Sequence, residues 1–147
     1  MALKILHIVG GEYTNGASKG AHILHNALLD LGVNSHILND VESYNPSLYK
    51  NTTNIKSKLI KKLLSRLFIL IEKILKFLFL PRPRETFTIS FFGHDITKTM
   101  EYKNADIIHI HWLSQGFLSL KSLSKIKKPV VWTMRDMWAF TGGSHYT

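Results

Sequence analysis

The alternation of apolar and polar positions divides the chain into five short apolar runs separated by segments of helical period. Leu3 to Val9 and Val33 to Leu38 read as buried strands. Between them Lys19 to Leu31 has the spacing of an amphipathic helix, and Gly32 follows as its C-terminal cap. Asn39 to Asn54 is rich in Asn, Ser and Thr and predicts a polar loop. Ile55 to Leu80 is a longer helical stretch, closed by Pro81-Arg82-Pro83-Arg84. Thr86 to Phe92 alternates Phe87, Ile89 and Phe91 with Thr88 and Ser90 and predicts the third strand. Asp95 is placed to cap a short helix over Ile96 to Lys103. Asp106 to His111 and Pro129 to Thr133, apolar on both faces, supply buried fourth and fifth strands around a helical segment with Leu118, Leu120, Leu123 and Ile126. Strands and helices thus alternate, and right-handed crossovers predict an α/β, doubly wound, Rossmann-like parallel sheet in order 3-2-1-4-5.

Size and charge refine this picture. A chain of 147 residues suits a single domain burying roughly 70% of its unfolded surface. The formal net charge of +9 is concentrated: residues 56–84 hold nine Lys or Arg and one Glu. Lys58, Lys62, Ser65, Glu72, Lys73 and Lys76 share one helical face there; Ile60, Leu63, Leu64, Leu67, Ile71, Ile74, Leu75 and Leu78 share the other, widened by Phe68, Leu70, Phe77 and Phe79. This stretch has two readings, compatible with each other because one helix can cover the sheet at one end and touch lipid at the other: its apolar face packs in the core under a solvated basic face, or the helix lies in an anionic leaflet with Lys58, Lys61, Lys62, Arg66, Lys73 and Lys76 near the headgroups, at about 1 kcal/mol per basic residue. Nucleic-acid binding is disfavoured, because the aromatic residues sit on the apolar face and not along a basic groove. No apolar run approaches the roughly 18 residues of a spanning helix, and Leu3 to Val9, interrupted by Lys4 and His7, is no signal peptide. The absence of Cys excludes disulfides and thiolate metal sites and suits a cytoplasmic location.

Candidate chemistry gathers where strands end. Gly10 to Ser18 joins the first strand to the first helix, and its glycines Gly11 and Gly16 suit either a tight turn or an anion cradle at a helix N-terminus. Ala17 stands where a Walker A loop needs Lys. Beyond the fourth and fifth strands lie His111, Trp112, Arg135, Asp136 and Trp138, where ligands collect in such sheets. Arg135 and Asp136 can form a loop-fixing salt bridge or belong to a site in which Arg binds phosphate and Trp stacks a sugar. His109 and His111 share a strand face at a spacing that a metal can use. With no third ligand evident, the expectation is a buried His109, a cleft-lining His111 and no metal. His22 and His25 read as a packing pair.

The wording HIHWLSQGFLSLKSL and KPVVWTMRDMWAFTGGSHY resembles the N-terminal domain of bacterial family 4 glycosyltransferases, the retaining, two-domain GT-B enzymes of polysaccharide biosynthesis. It is most similar to the branch with HLHW and WTLHDMWAFTGGCHY. The resemblance is strong over residues 105–146, moderate over 3–39 and slight between them. Arg135 replaces the branch's His and Ser144 its Cys. The resemblance implies a donor-diphosphate loop at Gly11, Gly16 and Ala17, catalytic roles for Asp136 and Arg135, and substrate contacts from His111, Trp112, Trp138 and His145. Arg135 cannot serve as a base, though it can stabilise developing phosphate charge. The family takes a nucleotide-sugar co-substrate, needs no further cofactor, and has a lipid-linked or polysaccharide acceptor at the inner face of the plasma membrane. It also needs a C-terminal nucleotide-sugar domain with an E-x(7)-E motif, absent here, so inactivity alone is expected. The alternative is a non-catalytic module that docks on membranes or a partner.

Overall fold

The computed structural model describes residues 2–40, 50–55, 59–79, 87–113 and 116–145. Five parallel strands form one sheet in the order β3-β2-β1-β4-β5, with β1 Lys4–Val9, β2 Asn34–Asn39, β3 Thr52–Asn54, β4 Ile107–Ile110 and β5 Val130–Trp132. The doubly wound order is the expected one. Helix α1, Gly16–Asp30, links β1 to β2, and α2, Leu59–Phe79, follows β3. A 3-10 turn at Ile96–Lys98 and α3, Met100–Asn104, precede β4; α4, Leu120–Leu123, precedes β5; α5, Trp138–Thr141, comes last.

Local chemistry accounts for most element ends. After α1 the Gly32 N–H bonds Leu29 O and the Val33 N–H bonds Leu28 O, a Schellman arrangement that Gly32 accommodates with φ +76°. The helix expected from Asp95 is divided: the Asp95 carboxylate accepts from Thr97 N, then the Thr99 hydroxyl accepts from Tyr102 N to start α3. Side chains alternate across β1. Leu6 and Ile8 join Leu38, Ile55, Ile96, Ile108, Ile110, Phe117 and Leu118 in the main core, each large side chain contributing about 1.5–3 kcal/mol. Val9 packs with Ala21 and Ile37 in a smaller cluster involving α1.

The third strand is a correction. Thr52–Asn54, inside the expected polar loop, takes that place beside β2. Residues 88–91 form no strand, and Phe87 makes only an isolated antiparallel bridge to Ser144. Ser90 sits at φ +53°, which breaks the extended run; Thr88 N and Ser90 O keep single backbone bonds to Gly143 and Leu120, and side chains take other backbone groups that a ladder would use. Glu72 accepts from Ile89 N at 2.6 Å, Lys76 donates to Phe87 O, and Trp138 Nε1 donates to Thr88 O.

These bonds also decide how α2 lies. Its polar side faces the molecule: Ser65 and Glu72 are buried, and Ser65 Oγ is 2.6 Å from His94 Nε2. Leu59, Ile60, Leu63, Leu64, Leu67, Leu70, Ile74, Phe77 and Leu78 are exposed, with Arg66 and Lys73 among them. Burial of the apolar face in the core is therefore not what occurs. Lys61 and Lys76 are half-buried, and Lys58 lies outside the described residues. Likewise β5 is not buried on both faces: Val130 and Val131 are each about half exposed at the sheet edge. Among the described residues, no helix is long and apolar enough to cross a membrane.

Candidate functional site

The carboxyl rim of β1, β4 and β5 opens into a cleft of about 600 Å³ lined by Asn15, Gly16, Ala17, Trp112, Arg135, Asp136 and His145. Three separate stretches of sequence meet there because β1 is central and its neighbours are parallel, so their exit loops share one edge.

The β1 exit loop is tied down from two sides. Gly10 N donates to Trp112 O at 2.7 Å and Gly11 N to Asp40 Oδ1 at 2.9 Å. Gly11 has φ +78°, and a Cβ there would stand 2.7 Å from Asn15 Nδ2 and 3.1 Å from the Trp112 ring. A Cβ on Gly16 would meet nothing within 4 Å, so the first turn of α1 faces open space. Asn15, at the N-cap, makes no side-chain capping bond, which leaves the first-turn N–H groups available at the positive end of a 15-residue helix. Arg135 crosses to the same helix. Its guanidinium lies where a Cβ on Gly20 would be, 2.6 Å from Nη1.

Asp136 organises the opposite wall. Its Oδ2 accepts from Trp112 Nε1 at 2.7 Å and from His145 Nδ1 at 2.5 Å, and its Oδ1 accepts from Trp138 N at 3.1 Å. His145 Nε2 is 2.8 Å from the Thr88 hydroxyl. The Thr88, His145, Asp136 chain superficially matches a nucleophile, base and orienting group, but Thr88 is buried behind the ring and is not in the cleft lining. The chain holds His145 in place. The carboxylate is committed mainly to positioning, with one Oδ1 lone pair facing little competition.

Of the residues read from the sequence, Gly16, Ala17, Trp112, Arg135, Asp136 and His145 meet in this cleft. Gly11 supports its floor through Asp40 and Trp112. His111 and Trp138 do not line it. Trp138 is buried, its indole N–H held by Thr88 O. His111 turns into the sheet face beneath α1, where Nε2 lies 3.0 Å from His7 Nδ1. Burial holds the His111 ring at a pKa of about 2 and the His7 ring at about 3, helped in each case by neighbouring imidazoles, so both are neutral at any ordinary pH. His109 is lowered as well, by burial and then by Arg135.

Sequence reasoning missed Asn15, Asp40 and Thr88. Asn15 carried a usable signal, as an N-cap residue just before Gly16. Asp40 and Thr88 act over 29 and 57 residues of separation, which no local pattern records. His7 was also missed: strand register sets it opposite His109, and the ring nitrogens of His7, His109 and His111 come within 4.8 Å of one another. Comparison with protein-family models, with curated proteins and with solved structures returns no significant match.

Proposed function

We propose that this chain is the acceptor-side domain of a retaining glycosyltransferase that moves a sugar from a nucleotide-diphosphate donor to a lipid-linked or polysaccharide acceptor. The observation that carries the reading is the convergence of Arg135, the uncapped first turn of α1 and the Trp112 ring in one cleft. A helix N-terminus and a guanidinium together suit a diphosphate, because the former offers aligned N–H donors and the latter a planar, bidentate cation. Trp112, its edge fixed by Asp136, offers a ring for a sugar to stack on. In this reading Arg135 stabilises charge building on the leaving diphosphate, and the Oδ1 of Asp136 orients a hydroxyl.

The exposed apolar side chains of β5 and α5, Val130, Val131 and Phe140, support a sheet that continues in a larger enzyme. The test is transfer of labelled sugar after the chain is joined to a nucleotide-sugar domain bearing E-x(7)-E. Transfer should appear only in the joined form and fall at least about a hundredfold in Arg135→Ala, a loss of about 2.7 kcal/mol. Turnover by the present chain alone, or full activity in Arg135→Ala, would contradict the assignment.

A second role rests on α2. Its outward face combines nine large apolar side chains with Arg66 and Lys73, the composition of a helix that lies in a headgroup layer and prefers anionic lipid. In this role the domain sits peripherally on the inner leaflet, where lipid-linked acceptors are found. Co-sedimentation with phosphatidylglycerol vesicles, weakened by salt and absent with phosphatidylcholine alone, is the expected outcome. A membrane-docking module without transferase activity would show the same sedimentation and no response to nucleotide sugars.

A further inference from the structure

The face of β1 and β4 beneath α1 carries more imidazole than packing requires. His7 and His109 are paired residues on adjacent strands, His111 follows His109 by two positions, and all three rings are in contact, with centroids 4.1–5.2 Å apart. His7 and His111 share one hydrogen bond, and the remaining nitrogen of each, His7 Nε2 and His111 Nδ1, is buried without a partner among the described residues. Whichever ring donates in that bond, one lone pair and one N–H stay unsatisfied in the interior. Each carries the full desolvation penalty of an unmade hydrogen bond. An apolar pair would avoid this cost.

The surrounding groups differ in what they leave free. His25 is fully engaged: Nε2 donates to Lys50 O and Nδ1 lies 2.7 Å from Ser35 Oγ. It forms a wall of the cluster and no ligand. His109 bonds the Thr133 hydroxyl through Nε2 at 2.8 Å, which leaves Nδ1 to carry the lone pair when Nε2 holds the proton. An outer hydrogen bond of this kind fixes tautomer and ring orientation in metal-binding histidines.

We infer that His7, His109 and His111 form a three-imidazole site for a divalent transition-metal ion of the zinc class. One ligand nitrogen from each ring lies within 4.8 Å of the others, and neighbouring ligands of a tetrahedral site with bonds of 2.0–2.1 Å stand about 3.4 Å apart, so modest rotation of the rings, with the His7–His111 hydrogen bond given up so that each ring turns a lone pair to the ion, closes the set. The donor set selects the ion. Three neutral nitrogens with no carboxylate and no sulfur suit zinc, copper, nickel or cobalt and not magnesium or calcium. His109, only partly buried, marks the side of entry, and water completes the coordination. Arg135 is the opposing group, close enough to lower the proton affinity of His109 and His111, and it weakens cation binding in the same way. This inference does not depend on the transferase reading.

The test uses the full, untagged chain stripped with chelator. Zinc titration by calorimetry should show one equivalent bound, and cobalt(II) should give the intense visible bands of a four-coordinate ion. His109→Ala should weaken binding at least tenfold while the unfolding midpoint of the metal-free chain holds, Arg135→Met should tighten it several-fold, and His36→Ala, whose ring bonds Thr53 away from the cluster, should change nothing. Should His109→Ala fail to fold, ring-nitrogen NMR of the unaltered protein decides: zinc must shift the signals of His7, His109 and His111 together. No binding, equal affinity in His109→Ala, or shifts confined to other histidines would overturn the site.

Discussion

Helices α1 and α2 both bury polar side chains, yet they leave opposite surfaces to solvent. Under α1 the buried set is Ser18, Ala21, His22 and His25, small or neutral groups lying over the imidazoles of β1 and β4. Under α2 it is Ser65, bonded to His94, and the Glu72 carboxylate, which with Lys76 answers the irregular backbone of residues 87–90. The outer side of α1 mixes Lys19, Asn26 and Asp30 with Ile23 and Leu24; that of α2 is almost entirely apolar. An amphipathic pattern therefore states that a helix has two faces. Which face turns inward depends on what the neighbouring segment still needs.

The α1 side should be the acid-sensitive one. His7 and His111 titrate near 6.5 when unfolded and at about 3 and about 2 when folded, so between those values the unfolded chain binds more protons. Their contribution is complete above pH 6.5 and is lost as pH falls toward 3. Urea unfolding at pH 7 and pH 5 should differ by about 4 kcal/mol, with close to two protons taken up. A pH-independent midpoint would mean that these rings are solvated.

On the cleft wall, Asp136→Ala strands the donors of Trp112, Trp138 and His145 and should cost about 3 kcal/mol in the same assay. Beneath α2, Glu72→Ala removes the acceptor of Ile89 N and should cost about 2 kcal/mol. Leu63→Glu, on the outer face, should change stability by less than about 0.5 kcal/mol while weakening association with anionic vesicles about tenfold. Loss of stability from Leu63→Glu larger than from Glu72→Ala would show that the helix packs the other way round. Gly20→Ala should leave stability nearly unchanged and act only by pushing Arg135 off α1, a change visible in diphosphate affinity.

The sheet order was legible in the sequence because right-handed crossovers restrict it, and α1, its Gly32 terminus and the Asp95 turn because periodicity and capping are local. Thr86 to Phe92 misled because its alternation is real, while its backbone groups bond the side chains of Glu72, Lys76 and Trp138 and the backbone of Gly143 and Leu120, in no regular ladder. Thr52–Asn54 gave no apolar signal, since an edge strand of three half-buried residues needs none. Arg135, Asp136 and Trp112 were found because large polar and aromatic residues after buried strands have few structural uses. His7 was hidden among apolar neighbours, and only the register of β1 against β4 sets it beside His109.

On the proposed reading the rim cleft receives a sugar diphosphate. Two-dimensional NMR of the present chain during titration with a nucleoside-diphosphate hexose measures this most directly. The amides of Gly16 and Ala17 and the Trp112 indole N–H should move together, and Arg135→Ala should abolish the response. Shifts confined to other surfaces, or an unaltered response in Arg135→Ala, would contradict it.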